Sequence, residues 1–361
     1  MAAARTYRIA VYPGDGIGPE VTHEAVRALR AAETRLGGFA LELTDLPWGA
    51  AYHAAHGAVA PTDYLEQLRG FDAILLGAVG MPALLPDALT LEPLVTIRQA
   101  FDQYVCLRPA RLMAGVRSPL ARPGAIDFLV LRENSEGEYL RVGGRAKQGT
   151  PDELAIQTAV HTRKGVERAL RFGFEQARRR RRKLTMITKS NALVYGMTLW
   201  DELLVEVAGD YPDVAAERQH ADAAAMDFVR RPERYDVVVA SNLFGDLLTD
   251  LAGAIVGGLG LAPSANLNPE RTAPSLFEPV HGSAPDIAGQ GVANPVAAVL
   301  SAAMMLQWLG LPSAAEAVRG GVESALRGGA ATPDLGGRLS TSAMGDAILR
   351  HVAAGAAGSS R

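Results

Sequence analysis

The chain is expected to fold as an α/β protein built on a largely parallel sheet, and three observations predict this. Apolar runs of strand length alternate with segments of helix length. Some of these runs, such as VVVA at 237–240, are apolar at every position, as expected of strands covered on both faces. The 361 residues, 48% of them hydrophobic and rich in glycine and alanine, suffice for two domains or one large unit with helices packed closely on a sheet.

Taken in order, IAVYPG at 9–14 reads as the first strand, and a helical pattern follows over about residues 19–36. DAILLG at 72–77, DFLVLREN at 127–134, LTMITKS at 184–190 and DVVVASN at 236–242 are the further strand-like runs, each apolar and of strand length. Residues 140–161 contain VGGR and several turn formers and read as a long loop. The tail GAAGSSR at 355–361 is expected to fray. No internal repeat or low-complexity segment interrupts the pattern.

Composition excludes several classes of function. A formal charge of −3 gives no reason to expect nucleic acid or an anionic membrane as partner. The one basic run, at 178–183, closes a helical pattern and reads as a solvated helix end whose cations complement the helix dipole. Cys106 is the only cysteine, so intramolecular disulfides and a cysteine-based structural zinc site are excluded. The opening MAAARTYRIAVYPGDG passes into a strand without a signal-peptide core, and no stretch reaches the ~20 apolar residues of a membrane span, so a cytoplasmic location is expected.

The chemistry concentrates at 237–266. After the strand VVVA, Gly245 reads as a turn and a helical pattern follows. Asp246 and Asp250, four apart, then share a helix face and could offer oxygen ligands to a hard divalent cation; the alternative is a helix-capping acid and a solvated one. GDGIGPE at 14–20 follows a strand and precedes a helix, but its glycines are spaced G-x-G-x-G and not G-x-G-x-x-G, so it is not a Rossmann fingerprint.

NLFGDLLTD at 242–250 resembles the signature of the β-decarboxylating dehydrogenases, the metal- and NAD(P)-dependent family of isocitrate, 3-isopropylmalate, D-malate and tartrate dehydrogenases. GDGIGPE, the arginines of IR and LRP at 98 and 108, RENSEGEY at 132–139, TKSNA at 188–192 and EPVHGSAPDIAGQGVANP at 278–295 extend the resemblance along nearly the whole chain. It implies a two-domain α/β/α sandwich distinct from the Rossmann fold. The first domain would be discontinuous, residues 1–103 and 257–361, with a second of about 104–256 inserted and the active site in the cleft between. The stretch at 140–161 would be a β-arm interlocking with a second subunit, which makes a homodimer the expected assembly.

The resemblance also implies roles. Arg98, Arg108 and Arg132 would hold the carboxylates of a 2-hydroxy diacid, a task suited to the guanidinium fork. Tyr139 and Lys189 would be the proton-transfer groups; both start from pKa values of roughly 10, which a cation and the neighbouring arginines are expected to lower. Asp246, Asp250 and Asp222 would bind Mg²⁺ or Mn²⁺, with Asp222 and Lys189 reaching into the partner subunit's site. A monovalent cation is a further candidate cofactor. His281, Gly282, Ser283, Ala284, Asp286, Ile287 and Asn294 would line the nucleotide site, and the Asp286 carboxylate would favour NAD⁺ by repelling a 2′-phosphate.

Within the family, FDQYVCLRPARLMAGVRSPLA at 101–121 and NPER at 268–271 resemble the D-malate and tartrate enzymes most. The expected reaction is oxidative decarboxylation of a D-malate-like acid, D-malate or tartrate, to a keto acid and CO₂. The segment LLPDALTLEPL at 84–94 departs from that branch: Ala88, Leu91 and Pro93 would make the pocket more apolar, which keeps a 3-alkylmalate such as 3-isopropylmalate open. An isocitrate dehydrogenase is a further alternative. A catalytically silent regulatory subunit would lack a metal aspartate, the lysine or the tyrosine, and all are present.

Overall fold

The computed structural model describes residues 5–354, the Asp87 side chain excepted, so the expectation for the 355–361 tail lies outside the described residues. The strands are β1 (Arg5–Gly14), β2 (Phe39–Asp45), β3 (Ala73–Ala78), β4 (Val105–Arg111), β5 (Asp127–Glu133), β6 (Gly143–Ala146), β7 (Leu154–Gln157), β8 (Lys183–Thr188), β9 (Ala215–His220), β10 (Val237–Ala240), β11 (Pro263–Leu267) and β12 (Ser275–Pro279). Ten of them form one sheet in the order β2-β1-β3-β12-β11-β4-β5-β10-β8-β9. Pairing is parallel except at its centre, where β12-β11, β11-β4 and β4-β5 run antiparallel. The five strands from β2 to β11 in this order all lie outside residues 104–256, and the other five all lie within them.

The apolar-run criterion finds β1, β3, β5, β8 and β10 and misses the others, including β11 (PSANL) and β12 (SLFEP), which are buried throughout but interrupted by polar residues. β9 is an edge strand of sequence AAERQH with no buried residue, and β4 carries Pro109 where β4 pairs with β5 alone. Residues 140–161 are not a long loop: β6 and β7 pair as an antiparallel hairpin, all eight of whose residues are exposed.

Alternate residues of the central strands enter different cores, as the two-residue repeat of a strand requires. On one face Ile9, Leu75, Leu131, Val237 and Phe277 belong to a single apolar layer that runs the length of the sheet. On the other face the layer is divided, with Ala10, Ile74, Leu76 and Leu276 in one cluster and Phe128, Val130, Val238 and Ala240 in another. The gap between those clusters leaves room for a polar site. The continuous layer includes the helix Val296–Trp308, which buries residues on all sides and contains no charged side chain.

Gly245 is not a turn. The helix begins at Asn242 and runs to Ile255, with extended Ser241 at the N-cap position, so Gly245 lies within its first turns. A Cβ there would stand 2.7 Å from the Arg132 Cβ and 2.8 Å from its Cγ. Glycine thus lets the helix press against the Arg132 stem. Gly245→Ala is expected to destabilise the fold by about 1–3 kcal/mol through overpacking, measured as a lower midpoint in urea unfolding; an unchanged midpoint would show that this contact yields freely.

Candidate active site

The gap in the divided face is a cavity of about 220 Å³ whose lining includes Arg98, Arg108, Arg132, Tyr139, Asp246 and Asp250, together with Glu278. Strand ends and helix starts deliver these groups. Arg132 lies one residue before the end of β5, Arg108 projects from β4, Glu278 from β12, Arg98 from the helix Glu92–Ala100, and the two aspartates from Asn242–Ile255.

Asp246 is the hub. Its Oδ1 accepts hydrogen bonds from Arg108 Nη1 at 3.0 Å and from Arg132 Nη1, and its Oδ2 accepts one from the Tyr139 hydroxyl at 2.7 Å. Burial disfavours the ionised carboxylate, but Arg132, Arg108 and the Tyr139 hydroxyl outweigh it and hold Asp246 below the usual carboxylate range. Asp250 goes the other way. Burial and the adjacent Asp246 charge raise its pKa, and it accepts no hydrogen bond from the described residues. A half-buried carboxylate beside another and without its own donor is where a hard cation fits, so the donor set suits Mg²⁺ or Mn²⁺.

The arginines are held from behind. Arg132, 2% exposed, donates from Nε to Asn242 Oδ1 at 2.8 Å, while burial and the repulsion of Arg108 push its pKa down to about 10, leaving it cationic at neutral pH. Arg108 Nη1 also donates to Thr249 Oγ1 at 2.7 Å. Arg98 Nη2 donates to Glu278 Oε1 at 2.8 Å, and the same oxygen accepts from Asn266 Nδ2 at 2.7 Å. Three guanidinium groups therefore face three carboxylates, Asp246, Asp250 and Glu278. A divalent cation and a doubly charged acid entering together would keep that balance, whereas either alone would leave buried charge unpaired.

Among the protein's own groups the Tyr139 pKa goes up, the arginines' lowering effect being outweighed. Burial raises it first, and the hydrogen bond to Asp246 and the charge of Asp246 raise it further, against a smaller opposing effect of Arg132 and Arg98. Tyr139 is therefore held as the phenol, the form that donates a proton.

Asp222 and Lys189 are brought together, but not here. Lys189 follows β8, and Asp222 lies in the first turn of Ala221–Arg230 after β9; Thr188 and His220 are register partners at these strand ends. Lys189 Nζ donates to Asp222 Oδ1 at 2.7 Å, which lowers the Asp222 pKa. Neither side chain lines the cavity. Among the described residues of one chain no three His, Cys, Asp or Glu side chains gather into a metal-binding group.

The loop expected to hold the nucleotide abuts GDGIGPE. Ile17 N donates to Ser283 O at 2.8 Å, and a Cβ on Gly16 would lie 2.0 Å from that oxygen, which only glycine permits. His281 and Gly282 reach the cavity wall. His281 Nδ1 is 2.9 Å from Gly282 O, which fixes its proton there and leaves Nε2 as a buried acceptor without a partner, while burial lowers its pKa. Ala284 holds a φ of 39°, Ile287 packs against the continuous core, and the Asp286 carboxylate is exposed. Asn294 Nδ2 donates to Asp334 Oδ2 at 3.0 Å and its Oδ1 accepts from Val296 N at 3.1 Å, closing the loop onto the following helix. The exposed Asp286 and the unpartnered His281 nitrogen suit a nucleotide carrying hydroxyl and amino donors.

Sequence reasoning assigned no role to Glu278, Asn242, Thr249 or Asp15, although all four stand inside motifs it singled out. Asp15 accepts from Ala50 N at 2.7 Å and from Gly80 N at 2.8 Å, so it fixes the loop after β3 beside the cavity. Of the residues in the 84–94 segment, Leu91 and Leu94 line the cavity, Pro93 is buried at the helix start and Ala88 is exposed.

A crystal structure of isocitrate dehydrogenase from Methylococcus capsulatus superposes with a TM-score of 0.87 at 36% identity, covering 96% of this chain and 99% of that one. Residues 8–348 match the family described as isocitrate/isopropylmalate dehydrogenase, and the chain belongs to that family of oxidoreductases. Among curated relatives it is 51% identical to D-malate dehydrogenase [decarboxylating] of Escherichia coli, over 96% of this chain and 99% of that protein. It is 48% identical to tartrate dehydrogenase/decarboxylase of Pseudomonas putida, over 96% and 97% respectively.

Proposed function

We propose that the protein catalyses NAD⁺- and divalent-metal-dependent oxidative decarboxylation of D-malate or a closely similar 2-hydroxy diacid. The observation that carries this reading is the single cavity in which Arg98, Arg108 and Arg132 face Asp246, Asp250 and Tyr139.

When bound, Mg²⁺ or Mn²⁺, held by Asp246 and Asp250, supplies charge stabilisation to substrate oxyanions, and NAD⁺ accepts a hydride. The arginines grip the two carboxylates and fix the acid's orientation. Lys189 takes the hydroxyl proton as the alcohol becomes a ketone. After carbon dioxide leaves, its bonding pair remains on the substrate as an enolate, and the Tyr139 phenol donates a proton to carbon.

Lys189 and Asp222 are read as completing the site of a second copy. Exposed apolar side chains flank both half-sites and support this: Leu193, Val194 and Tyr195 (92% exposed) follow Lys189, Met226 and Val229 lie on the Asp222 helix, and Leu247 lies beside Asp246. The exposed β6-β7 hairpin is the proposed arm. The seam between β11 and β4 is the proposed boundary between a domain of residues 1–103 with 257–361 and one of 104–256. The protein is proposed to act in the cytoplasm; no helix of the described residues is long and apolar enough to cross a membrane.

The test is a substrate panel with NAD⁺ and Mn²⁺, following NADH and CO₂. D-malate should be oxidised with release of CO₂, and failure to oxidise D-malate, tartrate or any 3-alkylmalate would sink the proposal. A 3-alkylmalate is the second reading, favoured by Leu91 and Leu94 in the cavity wall; it would be preferred if 3-isopropylmalate gave the higher kcat/KM.

NAD⁺ should outperform NADP⁺ by about 100-fold or more in kcat/KM, because the exposed Asp286 carboxylate would meet the 2′-phosphate with like charge. Replacing Asp286 with lysine and Ile287 with tyrosine should narrow or reverse that ratio. Equal use of both cofactors by the unmodified protein would contradict this reading of the loop.

A further inference from the structure

The NPER turn at 268–271 lies away from the cavity described above, and it presents Arg271 in a conformation that needs explaining. Arg271 has a φ of 57°, in the left-handed region that non-glycine residues seldom occupy. Buried Asn268 holds it there: its Oδ1 accepts from Thr272 N at 3.0 Å, its Nδ2 donates to Phe101 O at 2.8 Å, and its carbonyl accepts from Arg271 N at 3.0 Å. The Arg271 guanidinium lies over the Trp308 ring, 4.1 Å from its centroid.

Two more arginines share the cavity beside it, a space of about 320 Å³ lined by Arg5, Arg69 and Arg271 with Asp72 as its single carboxylate. Arg5 stacks on Tyr7 at 4.6 Å and Arg69 on Phe101 at 5.1 Å. Stacking occupies the flat face of a guanidinium and leaves its N–H edge free. None of the three guanidinium groups donates a hydrogen bond to a described residue; their nearest ion pair is the 3.9 Å contact of Arg69 with exposed Glu66. Asp72 is already engaged, its Oδ2 accepting from Arg8 N at 2.7 Å. Three exposed guanidinium groups, each stacked on an aromatic ring, against one committed carboxylate leave a cavity with an excess of positive charge and unused donors.

The cavity is separate from the catalytic one. It opens at the starts of β1, β3 and β12, whereas the catalytic cavity opens at the far ends of β3 and β12, roughly 20 Å along the strands.

We propose that Arg5, Arg69 and Arg271 form a second, non-catalytic site for a phosphate-bearing anion of charge −2 or more. A single carboxylate would leave two of the forks unused, whereas the oxygens of a pyrophosphate group can meet all three. The group comes from free pyrophosphate or from a nucleotide.

The test uses the intact protein in metal-free buffer, titrated separately with pyrophosphate, ADP and D-malate and followed by calorimetry and tryptophan fluorescence. Of the three tryptophans, Trp48 and Trp200 are buried, so a response reports on Trp308 beneath Arg271. Saturable pyrophosphate binding with a fluorescence change is expected. It should weaken about tenfold in Arg271→Gln and, separately, in Arg69→Gln, each losing a charge-assisted contact, with turnover of D-malate in the absence of phosphate unchanged. Tighter binding of ADP than of pyrophosphate, lost in the same variants, supports the site and assigns the group to a nucleotide. No saturable response, a response of equal strength in both variants, or stronger binding of D-malate than of pyrophosphate overturns the proposal.

Discussion

Asp250→Asn is expected to reduce turnover of D-malate by at least ~10³-fold, because it removes one of two anionic metal ligands that a single chain supplies to the cavity. Lys189→Met should be comparably inactive for another reason, the loss of the group that takes the hydroxyl proton. Lys189 and Asp222 contact each other and lie outside the cavity of their own chain, so the two defects should complement across a dimer. In a mixed dimer one site carries both defects and the other carries neither. Equal mixing with free exchange should restore about a quarter of the unmodified activity, since half of the dimers are mixed and each has one intact site. Calorimetry with Mn²⁺ separates the defects further, because Asp250→Asn should weaken cation binding while Lys189→Met should not abolish it. If exchange is verified and activity does not return, each chain must build its own site.

Tyr139→Phe should impair the decarboxylation half of the reaction. Tyr139 is held as the phenol by burial and by its 2.7 Å hydrogen bond to Asp246, so it is a proton donor at neutral pH. Supplied with oxaloacetate, the keto acid expected from D-malate, Tyr139→Phe should form the protonated keto-acid product ~10²- to 10⁴-fold more slowly, because the enolate left by CO₂ lacks its proton donor. Lys189→Met should lose far more of D-malate oxidation than of this partial reaction, because a supplied keto acid has no hydroxyl proton to remove. Equal loss of both reactions in each variant would show that the two side chains do not divide the proton transfers.

Most polar residues of the cavity were legible because each stands in a short motif: Arg132 and Tyr139 in RENSEGEY, Asp246 and Asp250 in NLFGDLLTD. The supporting shell was harder to read. Asn242 and Thr249 occupy those same motifs, yet their work depends on which arginine the helix presses against, and sequence spacing carries no such information. Gly245 was misread for a related reason. A glycine after a strand is the ordinary mark of a turn, but this one lies inside the helix to make room for the Arg132 stem.

By itself the sequence determined the buried strands that are continuous apolar runs and their alternation with helices, and its motifs singled out candidate site residues, since hydrophobic period and residue chemistry are local properties. Tertiary structure alone decided the polar edge strand β9, the antiparallel centre of the sheet and the divided apolar layer that makes the cavity. These depend on which strands become neighbours. That choice is made by burial and hydrogen-bond satisfaction summed over residues distant in the chain.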